Sequence, residues 1–308
     1  MPDSEINKFK SLFEAQMGSK ERMDLWIHER HLDSAELSFR VEETLCSEKS
    51  PYQQIDVVKT ANHGVVLIHD GIVMLTERDE FIYHEMIAHA ALFVHPNPQN
   101  ILVIGGGDGG TVREVLKHES IKRVVMVEID EVVVDLCRRF LPSVSQALED
   151  PRLEIIFDDG IHYVAETRER FDIAIIDSTD PVGPGIGLFE KPFYKNIVKI
   201  LSDQGILVTQ AESPFYDINF QEIMFSNQRP FFKKLHMYLY STLAYVGGLY
   251  SFGFASQGPC PLNDFNPEKV NASNMTLRYY NSNIHRAAFM LPGFIAEKLR
   301  GILDPVVW

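Results

Sequence analysis

The chain has 308 residues, 45% hydrophobic and 23% charged, enough to bury the core of one large and one small domain. A formal net charge of −14 and a pI near 5.2 argue against nucleic acid or an anionic membrane as partner and are compatible with cationic substrates. Three scattered cysteines (Cys46, Cys137, Cys260) without a CxxC pair exclude a disulfide framework and a zinc knuckle. No stretch is long and apolar enough for a membrane span, and the polar first twenty residues do not read as a secretory signal, so a cytoplasmic protein is expected.

Ile6, Phe9, Leu12, Phe13 and Gln16 have the spacing of a short amphipathic helix ending near Gly18. Leu37–Glu42, Ile55–Lys59 and Val65–Ile68 read as strands, with turns at His63-Gly64 and Asp70-Gly71, which together predict a small antiparallel sheet. Thr76 is placed to cap a helix that runs to about Phe93. His95-Pro96-Asn97-Pro98 breaks the chain, and the boundary between an N-terminal domain (1–95) and a larger domain (96–308) is set there. Strands and helices then alternate. The strands are Ile101–Ile104, Val124–Val127, Leu153–Phe157, Phe171–Ile176 and Gly205–Thr209, with two more at Leu235–Tyr240 and Leu249–Ala255. This is the pattern of an α/β, doubly wound, Rossmann-like sheet, whose ligands bind at the carboxyl ends of the strands.

The first of these strands runs into Gly105-Gly106-Gly107-Asp108-Gly109-Gly110, followed by a helix from Thr111. Gly105, Gly107 and Gly110 satisfy GxGxxG, but Asp108 inside the loop would repel a dinucleotide pyrophosphate and attract a cation. Asp108, Glu128, Asp159 and Asp177 each end or closely follow one of the first four strands. Glu128 stands where an acid binds ribose hydroxyls. Asp159, followed by Gly160, serves either an adenine amine or the cap of the next helix. A nucleoside with a sulfonium and an ammonium but no carboxylate, decarboxylated S-adenosylmethionine, fits this loop better than the intact cofactor.

Asp177 and Asp180 lie three apart on a Pro/Gly-rich loop reaching Pro184. A protonated amine has no free lone pair, so a carboxylate that accepts its proton makes attack possible. Asp177 takes that role, with Asp180 holding the cationic amine; magnesium coordination by the pair is the alternative. His84 and His89 do not form a zinc site, because five residues along a helix turn the rings about 140° apart. His84 is left as a polar contact beside Tyr83 or as a structural histidine.

The motifs Asp70-Gly71, Thr76–Phe81, Tyr83–Met86, Gly105–Gly110, Val127–Asp130, Asp159-Gly160, Asp177–Pro184 and Gln210 resemble those of the polyamine aminopropyltransferases, most closely the spermidine synthases, over about Trp26 to Leu291. The resemblance implies a small N-terminal β-domain, a methyltransferase-like catalytic domain, and a homodimer or homotetramer. It also implies aminopropyl transfer from decarboxylated S-adenosylmethionine, a co-substrate, to an amine, putrescine by default, with no cofactor and no metal. Agmatine, cadaverine or a longer polyamine is the alternative acceptor, and an S-adenosylmethionine-dependent methyltransferase is the more distant one. Matched residue by residue, Gln53, His84, Asp108, Glu128, Asp159, Gly160 and Pro184 meet the nucleoside substrate, and Asp177 is catalytic. Tyr83, Asp180 and Tyr245 meet the acceptor amine, with Gln210 and Trp26 as pocket walls. Two positions depart from the family pattern: Ala244-Tyr245-Val246-Gly247-Gly248 replaces Thr-Tyr-Pro-Ser-Gly, and Met74 replaces a glutamine.

Overall fold

The computed structural model describes residues 24–180 and 183–306, with 183 and 184 described by backbone alone. The expected helix over Ile6 to Gln16 and the side chain of Pro184 lie outside what is described. Five strands, β1 (Leu25–His31), β2 (Ala35–Lys49), β3 (Gln54–Thr60), β4 (Gly64–His69) and β5 (Ile72–Thr76), pair in chain order as an antiparallel sheet. The β4–β5 hairpin closes over Asp70-Gly71, both at positive φ (50° and 85°), the backbone a two-residue turn requires. β1 and β5 escaped the sequence reading. β1 carries His28, Glu29 and Arg30 in its middle, and β5 is only five residues long. β2 runs well beyond the expected Leu37–Glu42 and shifts register twice against β3, which breaks its alternation.

Seven strands build the second sheet: β6 (Asn100–Gly105), β7 (Arg123–Glu128), β8 (Leu153–Phe157), β9 (Phe171–Asp177), β10 (Leu201–Gln210), β11 (Lys234–Ser241) and β12 (Leu249–Ser256). Their order is β11-β12-β10-β9-β6-β7-β8, and β12 alone runs against its neighbours. The fold is thus α/β and Rossmann-like, with a small antiparallel β-sheet before it. The order reverses between β6 and β9, which makes a crevice at their carboxyl ends. There Gly105 pairs with Asp177.

Alternate residues of β6 serve opposite faces. Ile101 and Val103 join the core under helix α1 (Glu80–Leu92) and helix α2 (Gly110–Leu116), and Leu102 and Ile104 join the core on the other face. Sequence reasoning grouped α1 with the N-terminal sheet; its residues Met86 to Leu92 are buried in the core of the larger one. The small sheet docks by Ile55, Val57, Leu67 and Leu75 onto Val133, Leu136 and Cys137 of helix α3 (Glu131–Phe140). Burying apolar surface is worth roughly 25 cal/mol per Å², so this apolar contact fixes the small sheet over the crevice. Thr76 does not cap α1. The helix begins at Glu80 with Asp79 at its N-cap, and the Thr76 hydroxyl instead donates to Asp79 Oδ1 (2.5 Å). The other Asp79 oxygen accepts from Leu243 N (2.7 Å), Ala244 N (3.1 Å) and the Thr242 hydroxyl (2.9 Å), so this buried carboxyl pins the Tyr245 loop.

Candidate active site

A cavity of about 480 Å³ opens at the crevice between the two sheets, within the usual size for a small-molecule site. Gln53, Tyr83, His84, Asp108, Glu128, Asp159, Gly160, Asp177 and Tyr245 all line it. The glycine loop makes this approach possible. Gly105, Gly106 and Gly109 stand at φ of 80°, 72° and 85°, and a Cβ on Gly105 would lie 2.1 Å from the Asp177 carbonyl oxygen.

The acids are held by different means. Asp177 Oδ1 accepts from the Tyr83 hydroxyl (2.6 Å) and Oδ2 from the Thr111 hydroxyl (2.7 Å). Burial, with Asp108 nearby, pushes the Asp177 carboxyl above its ordinary value. Burial also pushes the Tyr83 phenol far up, so it stays a hydrogen-bond donor to Asp177. Asp108 Oδ1 accepts from Gly110 N (2.7 Å) and lies 3.2 Å from His84 Nε2. Burial works against its charge, but the His84 cation outweighs burial and holds the carboxyl below its ordinary value. Glu128 accepts from Gly107 N (3.1 Å) and Asp130 N (2.9 Å), and burial carries it up to about 7. Asp159 accepts from Ile161 N (2.8 Å) as the N-cap of the next helix, and the residue also lines the cavity.

His84 is engaged on both ring nitrogens. Nδ1 donates to Glu80 Oε2 (2.5 Å), and Nε2 faces Asp108. Burial opposes its charge, yet Asp108 and Glu80 carry it up to about 10. The ring packs on Gly110, where a Cβ would come within 2.2 Å of Cε1. His84, Asp108 and Asp177 bring ligand atoms within 4.8 Å of one another. An imidazolium with both nitrogens donating offers a metal no lone pair. His84 is thus part of a charged cluster and not an isolated core histidine.

The remaining expected residues are less central. Gln53 lines the cavity while its amide donates to Asp130 Oδ2 (2.9 Å). The Tyr245 hydroxyl donates to Met74 O (2.6 Å), and its ring stands edge-on to Tyr83. Asp180 lies outside the cavity wall, beside Glu212, and burial raises both; Glu212 reaches about 8. Gln210 does not line the cavity. Its amide donates to Glu212 Oε1 (2.6 Å), and it supports that acid instead. Trp26 is half exposed on edge strand β1, away from the cavity of its own chain. Sequence reasoning gave no role to Glu80, Arg113, Thr111 or Glu212. Glu212 had a local signal, a positive φ of 59° at a non-glycine residue, but only the structure shows it.

Two family models match the chain: the spermine/spermidine synthase domain over residues 80–267 and the spermidine synthase tetramerisation domain over residues 25–77. A polyamine aminopropyltransferase of Alkaliphilus metalliredigens is 44% identical over 279 residues, which is 90% of this chain and 98% of the relative. One of a Thermoanaerobacter strain is 46% identical over 281 residues, covering 89% and 98%. Among solved structures, spermidine synthase with the transition state analogue AdoDATO superposes with a TM-score of 0.88 at 40% identity, covering 92% of this chain and 99% of that one. Spermidine synthase from Thermotoga maritima superposes with a TM-score of 0.87 at 40% identity, covering 92% and 98%. With the acid-bearing glycine loop, the cavity and the family matches in agreement, the chain belongs to the spermine/spermidine synthase family, the polyamine aminopropyltransferases.

Proposed function

We propose that this enzyme moves the aminopropyl group of decarboxylated S-adenosylmethionine to putrescine, giving spermidine and methylthioadenosine. The observation that carries the reading is Asp177, fixed by two hydroxyls at the switch point beside Asp108. The adenosine lies along the strand ends, with Glu128 on the ribose and Asp159 on the adenine. Asp108 meets the cationic end of the chain. Asp177 takes a proton from the acceptor ammonium, which frees the nitrogen lone pair. That nitrogen attacks the carbon next to the sulfonium as the C–S bond breaks, and its electrons leave on sulfur as a neutral thioether. The proton passes from Asp177 to water. Much of the rate comes from holding nitrogen, carbon and sulfur in line. The reading uses no metal and no cofactor.

The cationic amine that does not react is assigned to Asp180, which stands beside Glu212 just beyond the cavity wall. The tetramerisation model over the small sheet supports a homo-oligomer. Among the described residues no helix is long and apolar enough to cross a membrane, in keeping with a cytoplasmic enzyme. Mass spectrometry of incubations with decarboxylated S-adenosylmethionine and putrescine, agmatine, cadaverine or spermidine tests the reading, with intact S-adenosylmethionine as control. Methylthioadenosine with spermidine as the dominant product is expected. A different dominant product would reassign the acceptor, and methyl transfer from the intact cofactor would overturn the reaction.

A further inference from the structure

We propose that Glu80 and Arg113 are positioning residues that hold His84 against Asp108, and so fix the carboxylate that meets the cationic end of the nucleoside substrate. This rests on the function proposed above. The contacts run in one line. Arg113 forks onto Glu80 through Nη1–Oε1 (3.2 Å) and Nη2–Oε2 (2.8 Å). Glu80 Oε2 accepts from His84 Nδ1 (2.5 Å), and His84 Nε2 stands 3.2 Å from Asp108 Oδ1. The four charges alternate in sign, and each neighbouring pair is in contact. Glu80 and His84 sit one turn apart on α1, Arg113 rises from α2, and Asp108 comes from the loop between β6 and α2. Three elements are thus tied at one point.

His84 is 2% exposed and Glu80 9%, so losing one partner leaves a largely buried charge short of compensation. Glu80 borders the cavity, but its oxygens are turned onto Arg113 and His84, and through these contacts it acts on Asp108 by way of the His84 ring. The far end is anchored too. Arg113 Nε donates to Glu114 (2.9 Å), and Glu114 also holds His89 (3.0 Å) and Lys117 (2.6 Å) in the core. The charged and titratable groups facing His84 are Glu80 and Tyr83 on its own helix, Asp108 on the loop, Arg113 on α2 and Asp177 at the end of β9. In this arrangement the imidazolium offsets one of the two carboxylates, Asp108 and Asp177, that would otherwise repel each other at close range.

Nitrogen-15 NMR of histidine-labelled wild-type enzyme tests this without any substitution. The His84 ring is expected to stay protonated through pH 9, in line with its shift to about 10; titration near the ordinary 6.5 would overturn the proposal. Kinetics of Glu80→Gln give the second arm. With one counter-ion gone, burial drives the proton off His84 at lower pH, so the basic limb of kcat/KM for decarboxylated S-adenosylmethionine moves acidward. At pH 8.5 that kcat/KM is expected to fall about tenfold, through KM more than kcat, the weight of one charged hydrogen bond. Arg113→Lys keeps the charge and loses the fork, and is expected to lower the same kcat/KM by less than Glu80→Gln does. A lower Tm with an unmoved limb and unchanged KM would reduce both residues to fold stability and overturn the proposal. Calorimetric binding of decarboxylated S-adenosylmethionine to both proteins reads the same effect with no acceptor present. An enzyme that binds as expected but transfers nothing would therefore sink the proposed reaction and leave this inference standing.

Discussion

Asp177→Asn separates chemistry from architecture. Asparagine keeps the shape of the side chain. The Tyr83 hydroxyl, 2.6 Å from Oδ1, can still donate to the amide oxygen, and the Thr111 hydroxyl, 2.7 Å from Oδ2, can turn to accept from the new amide nitrogen. What is lost is the charge and the affinity for a proton. A positioned base contributes about 10²- to 10⁴-fold, or about 3 to 5 kcal/mol of barrier, so kcat is expected to fall by at least two orders of magnitude. Binding of decarboxylated S-adenosylmethionine should weaken much less, because Asp108 remains. The assay is single-turnover formation of methylthioadenosine with both substrates saturating, followed across pH. In the wild type the base must be ionised, and burial with Asp108 nearby raises its pKa. Activity should then disappear as pH falls through a limb lying above the ordinary carboxylate value near 3.9. The variant should lack that limb. A kcat within fivefold of wild type, with the limb intact, would refute Asp177 as the base.

Gly110→Ala places a Cβ within 2.2 Å of the His84 ring. A cost of about 1 to 3 kcal/mol in stability and weaker nucleoside binding are expected, and denaturant melts with calorimetry would show both. Asp79→Ala leaves the Leu243 amide and the Thr76 and Thr242 hydroxyls without their acceptor, and leaves the Ala244 amide with the Thr242 hydroxyl oxygen alone. A loss of about 3 kcal/mol and a higher KM for the acceptor amine are expected, and an unchanged KM would disconnect this clamp from the Tyr245 loop. Burial raises Glu29 from 4.5 to about 7. Between those values the folded state holds a proton that the unfolded state has released, so stability falls as pH rises through the window, by on the order of 2 to 3 kcal/mol. Glu29→Gln keeps an oxygen to accept from Val73 N and should flatten that slope, as melting curves from pH 4.5 to 8 would show.

The larger sheet was readable because its buried strands are short apolar runs, such as Ile101–Ile104 and Ile173–Ile176, cut by glycines and acids. The small sheet was half readable. β1 pairs at an edge, and its polar centre gives no alternation to follow. Asp108, Glu128, Asp159 and Asp177 were legible because a carboxylate at a strand end faces the crevice wherever the topology reverses. Gln53 and Tyr245 came only with the family resemblance, since their place in the cavity depends on how the small sheet and the Asp79 clamp fold over it. Glu80 fell inside the Thr76–Phe81 motif with no role attached, and Arg113 had no signal at all. On the sequence they are ordinary helix charges, and their meaning arises only when the two helices meet at His84.

A helix beginning after a glycine loop usually leaves its first amides free for a phosphate from outside. Here that vacancy is filled from within, because Gly110 N donates to the carboxylate of Asp108, two residues earlier. The chain carries its own resident anion at the spot where nucleotide-binding loops keep an opening for one. Discrimination against the abundant phosphorylated nucleotides of a cell then needs no tailored contour. An incoming phosphate would meet a seat already taken, whereas the proposed substrate, an adenosine with a cationic tail, would bring no anion to compete for it.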